Sequence, residues 1–211
     1  SLFDPKLLQE VANMKEKNLA IELLKKLIAE QISVYLRTNI VKAEKFSEIL
    51  KKSLNAYLNG MITNESVIEE LLNLAKQIAK SQNEGEKLGL TADELAFYDA
   101  LTKPQAIKDF YENEELIAIT KELADALRKN NTIDWQKRES ARATMRMQIK
   151  RLLKKHRYPP EGMEDAVQTV MTQCELWTDN FDYGEDLNHY VISDSKEKVL
   201  SLVAENTEIY N

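Results

Sequence analysis

Glycine and proline are scarce, at five and four residues in a chain of 211. So few turn formers argue against an all-β fold and against glycine-rich loops that cradle phosphates. The single cysteine, Cys174, excludes an intramolecular disulfide and fits a reducing cytoplasm. The two histidines, His156 and His189, lie far from each other and from Cys174, with no metal-ligand spacing. No Walker-type phosphate loop, GxGxxG, HExxH or GxSxG motif occurs. Glu-x-x-His pairs of the kind that build di-iron bundles are also missing. Acidic pairs such as Glu69-Glu70 and Glu114-Glu115 fall in helix-surface patterns, where solvated charge is the default. Catalysis within this chain is therefore not expected, and neither a catalytic nor a metal-binding residue is assigned. No apolar run is long enough to span a bilayer. The N-terminal stretch SLFDPKLLQEV has no charged region leading into an apolar core, so no signal peptide is expected.

What the chain does have is helical periodicity. Hydrophobic residues make up 43% and charged residues 30%, a globular composition. Apolar residues recur at i, i+3, i+4 and i+7 almost throughout. The expectation is an all-α multi-helix bundle of roughly seven to nine helices with short loops, followed by a less regular acidic segment. The helical domain is placed at residues 1–178, with a sub-boundary near 81–90, and the acidic segment at 179–211. Asp4-Pro5 reads as an N-cap with proline at the first helical position. A second helix is expected over 19–37, with Leu19, Leu23, Leu24, Leu27, Ile28 and Ile32 facing the core. Asn39 should cap a third helix, which ends at Gly60. Asn64 or Ser66 should start a fourth, fraying over 81–85. Thr91-Ala92-Asp93-Glu94 spells a capping box for a helix that must end near Pro104. Asn113 should cap a helix to about Lys129, and Asp134 the next one. Tyr158-Pro159-Pro160 should end that helix. Two further helices are expected, over 163–177 and 194–204. Trp135 reads as a staple or an inter-helix anchor, and Cys174 as a small core residue. Phe97, Tyr98, Phe110 and Tyr111, at helical spacing, also read as core.

Charge is distributed unevenly. Lys137 to Arg157 holds nine Lys or Arg and one acid, a formal charge of +8, whereas the whole chain carries −6. Residues 161–211 hold twelve acids against Lys196 and Lys198. An asymmetry of this kind points to an acidic partner, either nucleic acid or an acidic protein surface. Wound as a helix, the block places Ala141, Met145, Ile149, Leu152 and Leu153 on one face, with His156 on that face and Arg142 at its edge. The candidate partner- or DNA-binding residues Arg146, Lys150, Arg151, Lys154, Lys155 and Arg157 occupy the opposite arc. Such a helix spans roughly 30 Å, enough to track several phosphates. The competing reading is a solvated amphipathic helix whose cations pair with the chain's own acids.

Two segments carry a family resemblance. Leu88-Gly89-Leu90-Thr91-Ala92-Asp93-Glu94-Leu95-Ala96-Phe97-Tyr98-Asp99-Ala100-Leu101 is one. The other is Ile133-Asp134-Trp135, Arg138-Glu139-Ser140, Arg142-Ala143, Met145-Arg146, Ile149-Lys150-Arg151-Leu152-Leu153 and Tyr158-Pro159-Pro160. Together and in this order they resemble the C-terminal region of type I restriction enzyme R (motor/endonuclease) subunits. The likeness spans roughly residues 18–178. It implies a C-terminal helical domain lying beyond the nuclease and ATP-driven translocase domains of such a subunit. It also implies partners: the methyltransferase (M and S) subunits and the motor domains of the same subunit, with DNA nearby. The parent subunits use ATP and Mg, but no cofactor is implied for this region itself. A cytoplasmic location and no membrane association are expected. Three roles follow from the resemblance and the charge pattern: docking the motor subunit onto the methyltransferase core, sequence-independent DNA-backbone binding, or a structural cover for the motor domains.

Overall fold

The computed structural model describes residues 3–130 and 135–182. The described residues form ten α-helices and one 3-10 turn, with no strand. They fall into two compact units. The first comprises residues 3–36 and Lys42–Glu84; the second comprises Arg37–Val41 and residues 85–182.

The first unit is built from α1 (Pro5–Ala12), most of α2 (Lys17–Thr38), most of α3 (Ile40–Leu58) and α4 (Asn64–Ser81). Asp4 caps α1 as expected, its carboxylate accepting from the Lys6 amide. The core of this unit is mainly aliphatic around one phenylalanine ring, with Leu24, Ile28, Ile32, Phe46, Leu71, Leu74 and Ile78 almost fully buried. Leu19, expected in the core stripe of α2, is 56% exposed. The buried face of α2 is rotated toward Ala20, Ile21, Leu24, Ile28 and Ile32, while Leu23 and Leu27 sit at its edge. Gly60 closes α3 at φ +68°, with the Met61 amide reaching back to the Ala56 carbonyl. This is a Schellman cap, in which glycine carries no steric penalty. Helix α4 starts at Asn64, the first of the two expected positions, and is capped by Thr63, whose hydroxyl accepts from the Ser66 amide. The stretch at 81–85 does not fray. Ser81 is buried, its carbonyl accepts from the Lys42 ammonium at 2.9 Å, and its hydroxyl meets the Tyr35 hydroxyl at 2.9 Å.

The second unit is organised around α6 (Ala92–Leu101). Thr91 and Glu94 form the expected capping box, each side chain bonded to the other's amide. Leu95, Ala96, Phe97, Tyr98, Ala100 and Leu101 are all buried, so α6 is apolar on every side. Such a helix must be surrounded. Against it lie α8 (Asn113–Asn130) and α10 (Pro160–Asp182), and α9 (Glu139–Lys155) packs on both of these, the three burying Leu123, Leu127, Ile149, Leu153, Val167 and Val170 in the shared core. Trp135, in the turn Trp135–Lys137, is almost fully buried in this core, and Phe97 meets Trp177 edge-on at 6.1 Å. Cys174 is also buried, and burial pushes its thiol far above the usual range. The α2–α3 junction belongs to this unit. Gln173 accepts from the Ile40 amide and donates to the Thr38 carbonyl, both at 3.0 Å, while Asn39 donates to Asp99 at 2.7 Å.

Two helices among the described residues were not expected, and both are short: α5 (Glu84–Leu88) and α7 (Gln105–Phe110). Asn113 lies inside α8 rather than capping it. Its carboxamide oxygen accepts from the Tyr98 hydroxyl at 3.0 Å, and the first turn is closed by the Glu112 carbonyl. Pro160 opens α10, where its missing N–H costs nothing, so this helix begins three residues before the expected Met163. The helix expected over 194–204 lies outside the described residues. Substituting Leu153 by Ala should lower unfolding free energy by about 2–5 kcal/mol, as for a closed core site. Leu19→Ala should change it by less than about 0.5 kcal/mol. Urea denaturation of the two variants checks this, and equal losses would contradict the burial described.

Candidate functional site

The basic block folds as α9. Met145, Ile149, Leu152 and Leu153 are buried, and Ala141 packs against them, which is the apolar face expected from periodicity. Helix α9 starts at Glu139, with Arg138 at the N-cap position making no side-chain cap bond. Asp134, expected to cap it, lies outside the described residues. Glu139 in the first turn and Lys154 and Lys155 in the last match the helix dipole.

The cations of α9 have unequal surroundings. Arg146 pairs with Glu164 of α10 and donates to Gln168, and Lys150 reaches the same Glu164 at 2.7 Å. Arg142 pairs with Glu175. On the other flank, Lys155 and His156 both contact Glu122 of α8 at 2.6 Å. These hydrogen bonds, that of Lys155 first and that of His156 second, hold the Glu122 carboxyl below its usual range. Arg151, Lys154 and Arg157 are exposed and have no ion pair among the described residues. Of the six candidate residues, then, Arg146, Lys150 and Lys155 are engaged by the chain's own acids. The remaining three cluster over the last two turns of α9 and its cap.

That cap is unusual. The Tyr158 amide reaches the Leu153 carbonyl at 2.9 Å and the Arg157 amide reaches that of Lys154 at 3.0 Å, a Schellman pattern. The residue at the left-handed position is Arg157, at φ +59°; at the equivalent positions after α3 and α5 stand Gly60 and Gly89. Holding a residue with a Cβ there costs on the order of 1 kcal/mol. Tyr111 fixes the cap from the side, its hydroxyl donating to the His156 carbonyl at 2.7 Å. Burial, and then the charge of Glu115, push the Tyr111 phenol upward.

An open cleft of about 410 Å³ lies here, lined by Phe110, Tyr111, Glu115, Lys155, His156 and Arg157. Phe110, expected in the core, is 61% exposed. Helix α7 is only six residues long and buries Ile107, so Phe110 at its last position has no continuing stripe to join. Its ring packs edge-on against Tyr111 at 4.8 Å. The sequence signal for this exposure is the polar Asn113 and Glu114 at the i+3 and i+4 positions. Chemically, the surface offers a guanidinium able to grip a carboxylate or phosphate in two-pronged fashion, beside an aromatic face. Among the described residues, no group of three or more His, Cys, Asp or Glu could hold a metal ion, and no helix is long and apolar enough to cross a membrane.

Comparison with known proteins gives consistent matches. Residues 1–180 match the family described as type I restriction enzyme HindI endonuclease subunit-like, C-terminal. The type I restriction enzyme HindI endonuclease subunit of Haemophilus influenzae is 39% identical over 175 residues, covering 83% of this chain and 17% of that protein. The putative type I restriction enzyme MjaIXP endonuclease subunit of Methanocaldococcus jannaschii is 34% identical over 166 residues, covering 78% of this chain and 15% of that protein. The chain therefore spans under a fifth of the length of either relative. No solved structure gives a significant match.

The Glu122 contacts imply a specific acid response. A carboxyl held low when folded contributes stability above its unfolded pKa of about 4.3 and loses it as pH falls through the folded value. Glu122→Gln should remove that increment. Its stability should fall less steeply than the parent's below about pH 4, by under about 1 kcal/mol because the cluster is solvent-exposed. Urea midpoints across pH 2.5–7 (roughly the window set by carboxylate pKa values) would show parallel profiles if Glu122 were unperturbed.

Proposed function

The chain belongs to the C-terminal family of type I restriction enzyme endonuclease subunits, and from that premise we propose that it is a non-catalytic assembly module. In this reading it docks the motor and nuclease subunit onto the methyltransferase core of the restriction complex. The observation that carries it is the partition of the α9 cations. Arg142, Arg146, Lys150 and Lys155 are taken by Glu175, Glu164 and Glu122, so no continuous 30 Å phosphate track remains. Of the candidate cations, Arg151 and Lys154 remain unpaired among the described residues, with exposed Met147 one helical turn before Arg151, and so does Arg157, which shares a cleft with exposed Phe110. A mixed patch of this kind, with an aromatic and arginine, has the composition of a protein interface.

Direct DNA-backbone binding is the second reading, favoured by the same three unpaired cations. Salt separates the two. Three phosphate contacts would give a slope of log K against log salt near about −2.7. The methyltransferase core should co-elute with the 211-residue chain without DNA, at moderate salt. Joint reversal of Arg151 and Lys154 to Glu should weaken that association at least tenfold, with helicity unchanged because both residues lie off the apolar face. Retention of the chain on duplex DNA alone, with no core association, would overturn the docking reading in favour of the second.

A further inference from the structure

Within the docking reading, on which this inference rests, we propose that the Phe110–Arg157 cleft is the specific contact. Its occupant is an acidic segment of the methyltransferase core that presents an apolar side chain next to a carboxylate. Three observations converge on it. Phe110 is a large apolar side chain left 61% exposed on a surface where the other aromatic, Tyr111, is tied down by its hydroxyl. Arg157 is an exposed guanidinium without an ion pair among the described residues, whereas its neighbour Lys155 is satisfied by Glu122. The charge of Arg157 is therefore the one in the lining that calls for an incoming carboxylate. The third is conformational. Arg157 holds a left-handed backbone position that Gly60 and Gly89 fill elsewhere in the same chain. No intramolecular bond of its side chain offsets the strain, and uncompensated backbone strain of this kind concentrates at binding sites. The apolar face of Phe110 beside Arg157 favours a protein occupant, because a side chain can cover an exposed ring whereas a sugar-phosphate backbone offers the cleft charge alone.

The test compares Phe110→Ser, Arg157→Gly and Arg157→Lys in the 211-residue chain, each titrated with the purified methyltransferase core and, separately, with duplex and single-stranded DNA. Arg157→Gly should fold at least as stably as the parent, because it relieves the left-handed strain, so loss of binding in that variant is not loss of fold. Phe110→Ser and Arg157→Gly should each raise Kd for the core about tenfold or more. The double variant should fall short of the product, because both residues grip one segment. Arg157→Lys should lie between parent and Arg157→Gly, keeping the charge but losing the two-pronged geometry. If the parent chain binds the core and both Phe110→Ser and Arg157→Gly bind it equally well, the cleft assignment is wrong and the docking reading stands. If the parent chain does not bind the core, the docking reading fails and the cleft assignment with it. Weakened DNA binding with unchanged core binding would reassign the cleft to nucleic acid and overturn the proposal.

Discussion

Helix α6 sets the terms for the second unit. With apolar side chains on every side, it is stable only when α8 and α10 enclose it, and α9 closes the same core by packing on both of them. That demand orients the basic helix. One face of α9 must supply Met145, Ile149, Leu152 and Leu153 to the shared core, so its cations are forced onto the opposite arc. Two polar ties complete the arrangement: the Tyr158 hydroxyl donates to the Leu101 carbonyl at the end of α6, and Tyr111 fixes the carbonyl of His156. The cap of α9 is thereby held from both sides. Arg157 can then occupy a strained backbone position without local unfolding.

Electrostatics works within that frame rather than creating it. A block of charge +8 would repel itself if left bare. Glu122 on α8 and Glu164 and Glu175 on α10 neutralise its flanks. Each such exposed pair contributes little stability. Their larger effect is to leave Arg151, Lys154 and Arg157 as the uncompensated cations of the C-terminal half of α9 and its cap. A charge pattern that in sequence resembles a long phosphate track is interrupted in three dimensions by the chain's own acids, and its last cation, Arg157, shares a cleft with an exposed aromatic ring. Small patches with an arginine and an exposed aromatic suit recognition of one protein segment better than the tracking of a duplex.

Local signals are legible in the sequence. The Asp4 cap, the Thr91–Glu94 capping box and the Gly60 stop each involve residues within a few positions of one another, so short-range chemistry was enough to find them. The apolar face of α9 was legible for the same reason, being a matter of helical period. Legibility failed where a partner distant in sequence intervened. Ser81 looked like the start of a linker, but Tyr35 and Lys42 bury it. Asn113 looked like a cap, but it answers to Tyr98. Leu19 and Phe110 looked like core, yet α2 is rotated a little further than its leucines suggested, and α7 ends too soon for Phe110 to be covered.

The sequence by itself determined the all-helical class, the helix boundaries marked by caps, the charge asymmetry and the two segments that carry the family resemblance. All of these are properties of residue type and near-neighbour spacing. The tertiary structure alone decided which cations are spent and which remain, because Glu122 and Glu175 lie about thirty positions from their partners in sequence and Glu164 some fourteen to eighteen. It also decided that Phe110 and Arg157, on separate elements, share one cleft. Ion pairing and exposure depend on distances through space, and those exist only once the apolar faces have packed.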